Sequence, residues 1–466
     1  MRQVTASEAA GWCEGVLYGP DISITRQWRS DSREVTEGDA FVAIKGTKTD
    51  GHLYLRSVVE RGASLLLIDI DEVDNASLAA DNFKNVTVIA VNDVTRALAR
   101  IAQKYLDSVS PRVVGITGSV GKTTTRELAV SVLRSKYKVH SAIRSFNTVL
   151  GCSLTILAMP EDTEVLVLEL GTNHFGEISE MVSLFSPETV LITEVAPAHL
   201  EGFGSVEGVL NAKVEICSSP RLKDIIFNND NVLLKEYMLN NLPGFNKISV
   251  GKSKSSKIII EKSVIDFTEK EAVIKTDINI EEKTYEFSAS LFGNQHAYNI
   301  AYAAAIGRCC GVSEEEASVA LSSLSPIAGR GVCTKLKNDV WIIDESYNAN
   351  PTSMGAAIDN VLSISHGDYK MFAVLGGMRE LGSTSPEWHQ KILDKIKSFE
   401  KVVLLGEEWY DNKLVLPCSA VRYLTFEEML HDIPKAYDRN SIVLIKGSNS
   451  YGLKKIVAML TEDINV

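Results

Sequence analysis

Residues 112–125 read RVVGITGSVGKTTT, and this segment joins a β-branched apolar run to a helix-forming run through a glycine-rich loop. Glycines let backbone N–H groups curl around a polyphosphate, and the N-terminus of the following helix adds a favourable dipole. The lysine can span the phosphates, and the adjacent threonine hydroxyl can reach Mg²⁺. The pattern G-x-x-x-x-G-K-[ST] is not matched literally, because five residues separate Gly115 from Gly121. A glycine-rich turn that happens to contain Lys-Thr is the alternative, but strand, loop and helix follow in order, so we expect a nucleoside triphosphate site. The expected contacts are Gly118, Ser119, Val120, Gly121, Lys122, Thr123 and Thr124.

Bulk properties exclude several classes of protein. A length of 466 residues exceeds what one hydrophobic core usually organises, so two or three domains are expected. The formal net charge of −12 argues against non-specific nucleic-acid binding, which requires a basic surface. No secretory signal is apparent, and no apolar run approaches the roughly 20 residues that span a bilayer. Seven scattered cysteines indicate neither a disulfide framework nor a zinc site, so we expect a cytoplasmic monomer without membrane insertion.

Short apolar runs alternate with helix-like stretches, which is the pattern of mainly parallel α/β sheets. The runs are 64–69, 86–91, 112–117, 164–170, 189–195, 225–230, 341–346, 371–377, 401–406 and 441–447.

Two proline-containing polar joints, at 107–112 and 323–331, divide the chain into three predicted α/β domains. The domains span 1–108, 109–325 and 326–466. Residues 255–291 alternate polar and β-branched side chains, which predicts antiparallel strands added to the mainly parallel sheet of the central domain. The last domain is similar to a Rossmann-like fold but lacks the G-x-G-x-x-G fingerprint.

Glu169 ends an apolar run, VLVLEL, just before Gly171. Ligands gather at the carboxyl ends of parallel strands, and a carboxylate beside a phosphate loop suits Mg²⁺. The sequence therefore predicts a magnesium ligand, with a capping or solvated glutamate as the alternative.

A lysine occupies an apolar helical position downstream of His199. Ser205 can cap a helix whose apolar stripe starts at Val206, and Lys213 lies seven residues further along that stripe. A lysine on an inward face is costly unless it snorkels, pairs or is chemically changed. Two interpretations follow: Lys213 snorkels to solvent, or its pKa is lowered and CO₂ carbamylates it, which creates a carboxylate-like magnesium ligand.

Two further candidates lie at or after the second joint. Arg330 could reach nucleotide phosphates when domains close, although a solvated linker arginine is equally compatible with the sequence. The loop DESYNANP at 344–351 follows a predicted strand and suits ribose hydroxyls and phosphate oxygens, but a polar turn before proline would look similar.

These stretches together resemble the Mur ligases, the ATP-dependent amino-acid-adding enzymes of peptidoglycan synthesis. The resemblance rests on GITGSVGKTTT, VLELGTNHFGEI, APAHLEGFGSVEGVLNAKVEI, the GRG before a strand, and DESYNANPTSM, in the family's order. It covers nearly the whole chain. ELGxNHxGEI, PAHLEGFGSxEG and SYNANPxSM are similar to the member that adds D-alanyl-D-alanine to UDP-N-acetylmuramoyl-tripeptide. Residues 30–52 resemble that member's UDP-binding segment, so the three domains are expected to bind UDP-substrate, ATP and the incoming dipeptide, in that order.

The resemblance also implies roles for individual residues. Lys122 and Thr123 would hold the ATP phosphates and one Mg²⁺, with Glu169 as a magnesium ligand. Lys213 corresponds to a carbamylated lysine and His199 to its partner at a second Mg²⁺, which favours the second interpretation of Lys213. The resemblance further implies that Arg330 contacts the phosphates, that Asp344 or Glu345 contacts the ribose, and that His296 and Asn299 contact adenine. The implied contacts with UDP are Ser30, Ser32, Thr47, Lys48 and Thr49. The implied catalytic residues are Lys122, Lys213, His199 and Arg330.

The chain departs from the family's pattern at several positions. The usual G-x-H-N-x-x-N reads GNQHAYN at 293–299, where the imidazole of His296 can still stack on adenine. The usual Asn-Asn pair after the phosphate loop is Asn147-Thr148. In the last domain GDM-x-ELG reads GGMRELG, so the acid is absent at Gly377. The pattern therefore assigns no residue of the last domain to the dipeptide.

Other functions remain open at this point. A sibling ligase that adds a diamino acid would be expected to carry a DNPR-like motif, which is absent from the sequence. A folylpolyglutamate synthase should lack the UDP-type segment, and a P-loop kinase or GTPase-like switch would need an NKxD-type motif. A nucleotide-binding scaffold without ligase activity is the remaining alternative.

Overall fold

The computed structural model describes residues 4–46, 49–73, 86–142, 145–336, 339–365, 369–430, 433, 437 and 439–461. Thr47 and Lys48, two of the expected UDP contacts, lie outside the described residues. Within the described chain the strands form sheets of two, five, nine and six strands. The α/β fold with mainly parallel sheets is therefore confirmed. Every helix in this part of the chain is too short or too polar to cross a lipid bilayer.

The first part of the chain forms a five-stranded sheet and a small two-stranded one. Its elements are β1 (Val4–Thr5), α1 (Ala6–Cys13), β2 (Val16–Tyr18), β3 (Ser23–Ile24), β4 (Trp28–Arg29), β5 (Ala40–Val42), α2 (Leu55–Glu60), β6 (Leu65–Asp69), β7 (Thr87–Val91) and α3 (Val94–Val109). The larger sheet has the order β2-β7-β6-β5-β4, with β4 to β7 parallel. Asp93 caps α3 by accepting a hydrogen bond from the Arg96 N–H, and Ser110 ends the helix in a left-handed conformation.

The middle of the chain builds a nine-stranded sheet. Its elements are β8 (Arg112–Thr117), α4 (Lys122–Arg134), β9 (Val139–Ser141), α5 (Val149–Leu157), β10 (Val165–Glu169), α6 (Glu177–Phe185), β11 (Thr189–Ile192), α7 (Leu200–Phe203), α8 (Val206–Val214), β12 (Asp224–Asn228), α9 (Val232–Asn240), β13 (Asn246–Gly251), β14 (Ile258–Phe267), β15 (Ala272–Ile280), β16 (Lys283–Ala289), α10 (His296–Cys310) and α11 (Glu314–Ser322). The order is β16-β15-β14-β13-β12-β11-β8-β10-β9. Strands β8 to β14 are parallel, and β14 to β16 pair antiparallel, as the alternating segment at 255–291 predicts.

The last part of the chain forms a six-stranded sheet. Its elements are β17 (Val332–Lys335), β18 (Val340–Glu345), α12 (Pro351–Ser365), β19 (Lys370–Gly376), α13 (Ser385–Lys395), β20 (Lys401–Leu405), β21 (Ala420–Tyr423), α14 (Phe426–Leu430), β22 (Ser441–Lys446) and α15 (Lys454–Thr461). The order is β17-β18-β22-β19-β20-β21, with β17 antiparallel and the others parallel.

The central sheet is covered on both faces, which explains why its strands are apolar throughout rather than alternating. Along β10, Leu166 and Leu168 belong to the core that includes α3, α5 and α6. Val165 and Val167 belong to the opposite core, with α4 and α10. Side chains of a strand alternate between faces, so both sets must be apolar. The N-terminal helix α3 thus shares a core with the central sheet.

Tyr105 of α3 tests this shared core. Its side chain is 1% exposed, and its hydroxyl donates to the Met159 carbonyl at 2.7 Å, just beyond α5. Tyr105→Phe leaves a buried carbonyl without its donor, which costs about 1–3 kcal/mol. We expect the melting temperature in thermal unfolding to fall by a few degrees. Tyr18→Phe, at a ring that is 38% exposed, is the control and should change little; equal melting temperatures for the two variants would contradict the prediction.

Candidate active site

A cavity of about 1210 Å³ opens at the carboxyl edge of the central sheet. Loops after β8, β10 and β11 line one side, and loops after β18, β19 and β22 line the other. From the N-terminal sheet region, Thr95 of α3 also faces it. The cavity therefore lies between the central and the last sheet, where ligands of open α/β sheets usually bind.

The glycine-rich loop wraps the N-terminus of α4. Gly118 and Gly121 have φ of +144° and +84°. A β-carbon at Gly118 would collide with the Thr193 hydroxyl and lie 3.0 Å from the Glu194 N–H. The Lys122 ammonium donates to the Gly118 carbonyl at 2.5 Å, so it folds back over the loop. The loop thus has the shape in which backbone N–H groups can surround an anion. Of the predicted nucleotide contacts in this segment, residues 119–124 line the cavity and Gly118 does not.

Glu169 lies at the end of β10 and is 3% exposed. Its carboxylate accepts a hydrogen bond from the Thr123 hydroxyl at 2.7 Å and lies 3.6 Å from Arg126 Nη1. A hydroxyl and a carboxylate oxygen at the foot of a phosphate loop are hard donors that suit Mg²⁺. Among the described residues, no three His, Cys, Asp or Glu side chains converge on one point. The donor set fits a magnesium ion that takes its remaining ligands from phosphate and water.

Three basic side chains, Lys122, Lys213 and Arg330, line the same cavity. Burial lowers the pKa of Lys122, and nearby Arg330 lowers it further. Burial also lowers the pKa of the Arg330 guanidinium, which lies 3.9 Å from the Tyr347 ring centroid. The pKa of Lys213 falls well below its ordinary value, first through burial and then through the charge of Lys122. Such a group of desolvated cations is preorganised for a polyanion.

Lys213 is 1% exposed, so it does not snorkel to solvent. Ser205 caps α8 as the sequence predicts, accepting from the Gly208 N–H at 3.1 Å, and this places Lys213 on the inward face. The described residues offer its amine no hydrogen bond or ion pair, although the charges of Glu177 and Glu169 partly oppose the fall in pKa. A lowered pKa favours the neutral, nucleophilic form of the amine.

His199 lines the cavity with φ of +52°, in a left-handed conformation before α7. Its Nδ1 pairs with Glu380, a residue from the loop after β19. The contact with His199 lowers the pKa of the Glu380 carboxyl. Sequence reasoning missed Glu380, and the only available signal was its place in the GGMRELG segment. The contact joins the last sheet to the central one beside Lys213.

His296 and Asn299 begin α10 and line the cavity. His296 is 3% exposed, and burial lowers its pKa to about 4, so its ring is neutral. Its Nδ1 lies 3.0 Å from the Asn299 amide, and the Asn299 oxygen accepts from the Thr125 hydroxyl at 3.1 Å. This chain of contacts fixes both side chains at the phosphate-loop helix.

The two acids at the end of β18, Asp344 and Glu345, have different surroundings. Asp344 accepts from the Gly329 N–H at 2.9 Å and the Ser346 N–H at 3.0 Å, and it does not line the cavity. Glu345 does line it, and lies 3.1 Å from the ammonium of Lys446, which is 2% exposed. Of the two, Glu345 is placed to meet a ligand, whereas Asp344 holds the loop that carries Arg330. Lys446 at the end of β22 was not anticipated.

The expected UDP contacts lie elsewhere, at the edge of the N-terminal sheet. Ser30 and Ser32 follow β4, and Thr49 follows β5; none of these three residues lines the cavity. Thr49 is hydrogen-bonded to the Tyr54 hydroxyl at 3.1 Å. Nearby His52, which the sequence reasoning did not single out, accepts from the Asp69 N–H at 3.0 Å and so joins the ends of β5 and β6.

Comparison with known proteins gives a consistent result. Sequence models match the Mur ligase family catalytic domain at 28–106, the Mur ligase middle domain at 116–307, and the Mur ligase glutamate ligase domain at 329–449. UDP-N-acetylmuramoyl-tripeptide--D-alanyl-D-alanine ligase of Bacillus subtilis is 30% identical, and the match covers 99% of both chains. The ligase of the same name from Escherichia coli is 29% identical, again over 99% of both chains.

Solved structures agree with these matches. MurF ligase from Thermotoga maritima in complex with ADP has a TM-score of 0.80 and 25% identity, over 95% of this chain and 98% of that one. MurF from Acinetobacter baumannii has a TM-score of 0.83 and 23% identity, over 99% of this chain and 100% of that one, and supports the fold.

The close contact between Gly118 and Thr193 can be tested by substitution. Gly118→Ala adds a β-carbon that collides with Thr193 and strains a φ of +144°. We expect ADP binding in the presence of MgCl₂ to weaken by about 10- to 100-fold, measured by calorimetry. Gly244→Ala is the matched control, because Gly244 has φ of +91° but no atom within 4 Å of the added carbon. ADP affinity of Gly118→Ala within twofold of the control would contradict the assigned phosphate loop.

Proposed function

The chain belongs to the Mur ligase family, and on that premise we propose that it joins D-alanyl-D-alanine to UDP-N-acetylmuramoyl-tripeptide at the expense of ATP. The observation that carries this proposal is that a phosphate loop, the buried Lys213 and a wall of the last sheet meet in one cavity. Full-length similarity to ligases of that name supports the choice of substrates. The product would be a peptidoglycan precursor.

Each of the three segments has a proposed share in the reaction. Residues 1–108 would bind the UDP moiety, 109–325 ATP, and 326–466 the dipeptide. Ser30, Ser32 and Thr49 lie outside the cavity, so the tripeptide must extend from the N-terminal sheet toward the phosphate loop. Thr95, which faces the cavity from α3, lies on the N-terminal side of that path. Closure of the segments would exclude water from the reacting groups.

The first step activates a carboxylate. The terminal carboxylate of the tripeptide attacks the γ-phosphorus of ATP, the bond to the β-phosphate oxygen breaks, and an acyl phosphate and ADP form. A carboxylate is a poor electrophile, and phosphorylation gives its carbon a good leaving group. Lys122 and Arg330 would neutralise charge on the transferring group. Mg²⁺ held by Thr123 and Glu169, and at a second position by His199 and carbamylated Lys213, would supply further charge neutralisation when bound.

The environment of Lys213 supports its carbamylation. The neutral form of the amine attacks the carbon of CO₂, a C–N bond forms as one C=O π bond gives its electrons to oxygen, and the amine proton leaves to solvent, which gives a carbamate. The side chain would then carry a negative charge that Lys122 and a metal ion can neutralise.

The second step forms the amide. The free amine of D-alanyl-D-alanine attacks the acyl carbon, a tetrahedral intermediate forms, and phosphate leaves. His199 is a candidate to take the amine's proton; its Nδ1 is engaged by Glu380, so Nε2 is the nitrogen available for that role or for metal ligation.

A phosphate-release assay tests the proposed function. The purified protein is given Mg·ATP and UDP-N-acetylmuramoyl-tripeptide with D-alanyl-D-alanine, a diamino acid, or neither, and product masses are measured. Dipeptide-dependent release with a matching mass gain is the expected result. Release with the diamino acid alone would indicate the sibling reaction. Release without acceptor would indicate an ATPase or a leaking acyl phosphate, and no release would favour a nucleotide-binding scaffold.

The proposed carbamate on Lys213 can be tested separately from the overall reaction. Lys213→Ala should abolish ligation while ADP binding persists, because the phosphate loop is intact. Short carboxylic acids such as acetate should restore part of the activity by replacing the missing anion, whereas bicarbonate should not. Lys254→Ala removes an exposed lysine and serves as the control. Full recovery of Lys213→Ala with bicarbonate would contradict a carbamate on this side chain.

A further inference from the structure

The wall of the cavity formed by the last sheet presents a guanidinium that the reaction described above does not use. Arg379 lies three residues after Gly376, the end of β19, and its side chain is 49% exposed and faces the cavity. The next residue, Glu380, pairs with His199. Arg379 thus stands beside the end of the cavity where the acyl group and its attacking amine would meet.

Two partly buried side chains, Glu408 and Tyr451, hold this guanidinium in place. Arg379 Nε lies 3.4 Å from Glu408 Oε1, and its Cζ lies 4.9 Å from the Tyr451 ring centroid. Its Nη2 lies 3.5 Å from the Tyr451 hydroxyl, which in turn donates to the other oxygen of Glu408. The Glu408 side chain is only 12% exposed. A guanidinium fixed on one side by an acid and an aromatic ring keeps its remaining N–H groups preorganised for a ligand.

Glycines make the room for this arrangement. A β-carbon at Gly377 would lie 2.6 Å from Glu408 Cδ, and one at Gly406 would lie 2.5 Å from Tyr451 Cζ. The acid that the family pattern places at position 377 is thus absent, and the carboxylate of Glu408 occupies the adjoining space. Glu408, Arg379 and Gly377 form one interdependent set.

We propose that Arg379 binds the C-terminal carboxylate of the dipeptide acceptor, with Glu408 and Tyr451 as positioning residues. This inference rests on the proposed function. A guanidinium fork matches a carboxylate, and the contacts of Arg379 with Glu408 and Tyr451 engage Nε and Nη2, which leaves Nη1 for a ligand. Lys446, another cation on this wall, is 2% exposed and paired with Glu345. An extended dipeptide spans at most about 7 Å, so its amine can approach His199 while its carboxylate meets the neighbouring loop.

The acceptor's carboxylate can be removed chemically, which tests the proposal without any variant. D-alanyl-D-alanine and D-alanyl-D-alaninamide are compared as acceptors of the wild-type protein. We expect kcat/KM to favour the acid by about 30- to 100-fold, mainly through KM. Equal use of acid and amide would overturn the role of Arg379 while leaving the proposed function intact. Absence of any dipeptide-dependent product would instead refute the proposed function.

Arg379→Gln completes the test. Its KM for D-alanyl-D-alanine should rise about 30- to 100-fold, its KM for ATP should stay within about twofold, and its preference for acid over amide should disappear. Arg422→Gln is the matched control, since Arg422 stacks on Tyr410 at 4.5 Å in the same sheet region but does not line the cavity. If Arg379→Gln loses acid and amide turnover equally, the proposal fails.

The positioning role has its own pair of variants. Gly377→Ala pushes the added carbon against Glu408 and should raise the KM for the dipeptide about 10-fold with little change in kcat. Gly355→Ala, whose added carbon meets its nearest atom at 3.8 Å, is the control and should be unchanged. Glu408→Gln should resemble Gly377→Ala. Normal dipeptide KM in Gly377→Ala and Glu408→Gln would show that Glu408 does not position Arg379.

Discussion

The site depends on three adjacent parallel strands that end together. In the order β11-β8-β10, Thr117 lies opposite Ile192 and Ile116 lies opposite Glu169. The loops that follow must therefore share one small volume, since carboxyl ends of parallel strands meet at one edge. This crowding leaves no room for a side chain at Gly118 against Thr193, and it brings Glu169 within 2.7 Å of the Thr123 hydroxyl. The shape of the glycine loop and the pairing of Thr123 with Glu169 are both consequences of one strand register.

The second constraint is electrostatic. Lys122, Lys213 and Arg330 lie in the same desolvated space, and each carries a lowered pKa because burial disfavours its charge. Glu169 opposes part of this effect at Lys122 and Arg330. An anion such as a triphosphate, an acyl phosphate or a carbamate would favour the charged forms of these side chains further.

Sequence patterns predict what is local and fail where distant segments meet. The glycine loop, the Ser205 cap and the inward position of Lys213 all follow from spacing within one strand–helix unit. In contrast, Asp344 and Glu345 are neighbours on a strand and so point to opposite faces, and the sequence does not say which face meets the cavity. Contacts such as His199 with Glu380 join residues that are far apart in the chain, and no local pattern encodes them. Likewise, the sequence alone shows that the family's acid is missing at Gly377, but it does not show that the carboxylate of Glu408 lies beside this position.

The contacts between the central and last sheets are of two kinds, apolar and polar, and the two kinds differ in how readily a ligand can replace them. Away from the cavity, Phe267 of β14 packs on Trp341 of β18 at 4.8 Å, an apolar contact between residues that do not line the cavity. Across the cavity the contacts are polar, and one of them is the hydrogen bond from the Tyr347 hydroxyl to Ser145 at 2.5 Å. Single hydrogen bonds of this kind contribute only about 0.5–1.5 kcal/mol, and a bound ligand can replace them with its own. The apolar contact is therefore the part of this interface that can persist when ligands bind, and the polar contacts are the part that a ligand can replace.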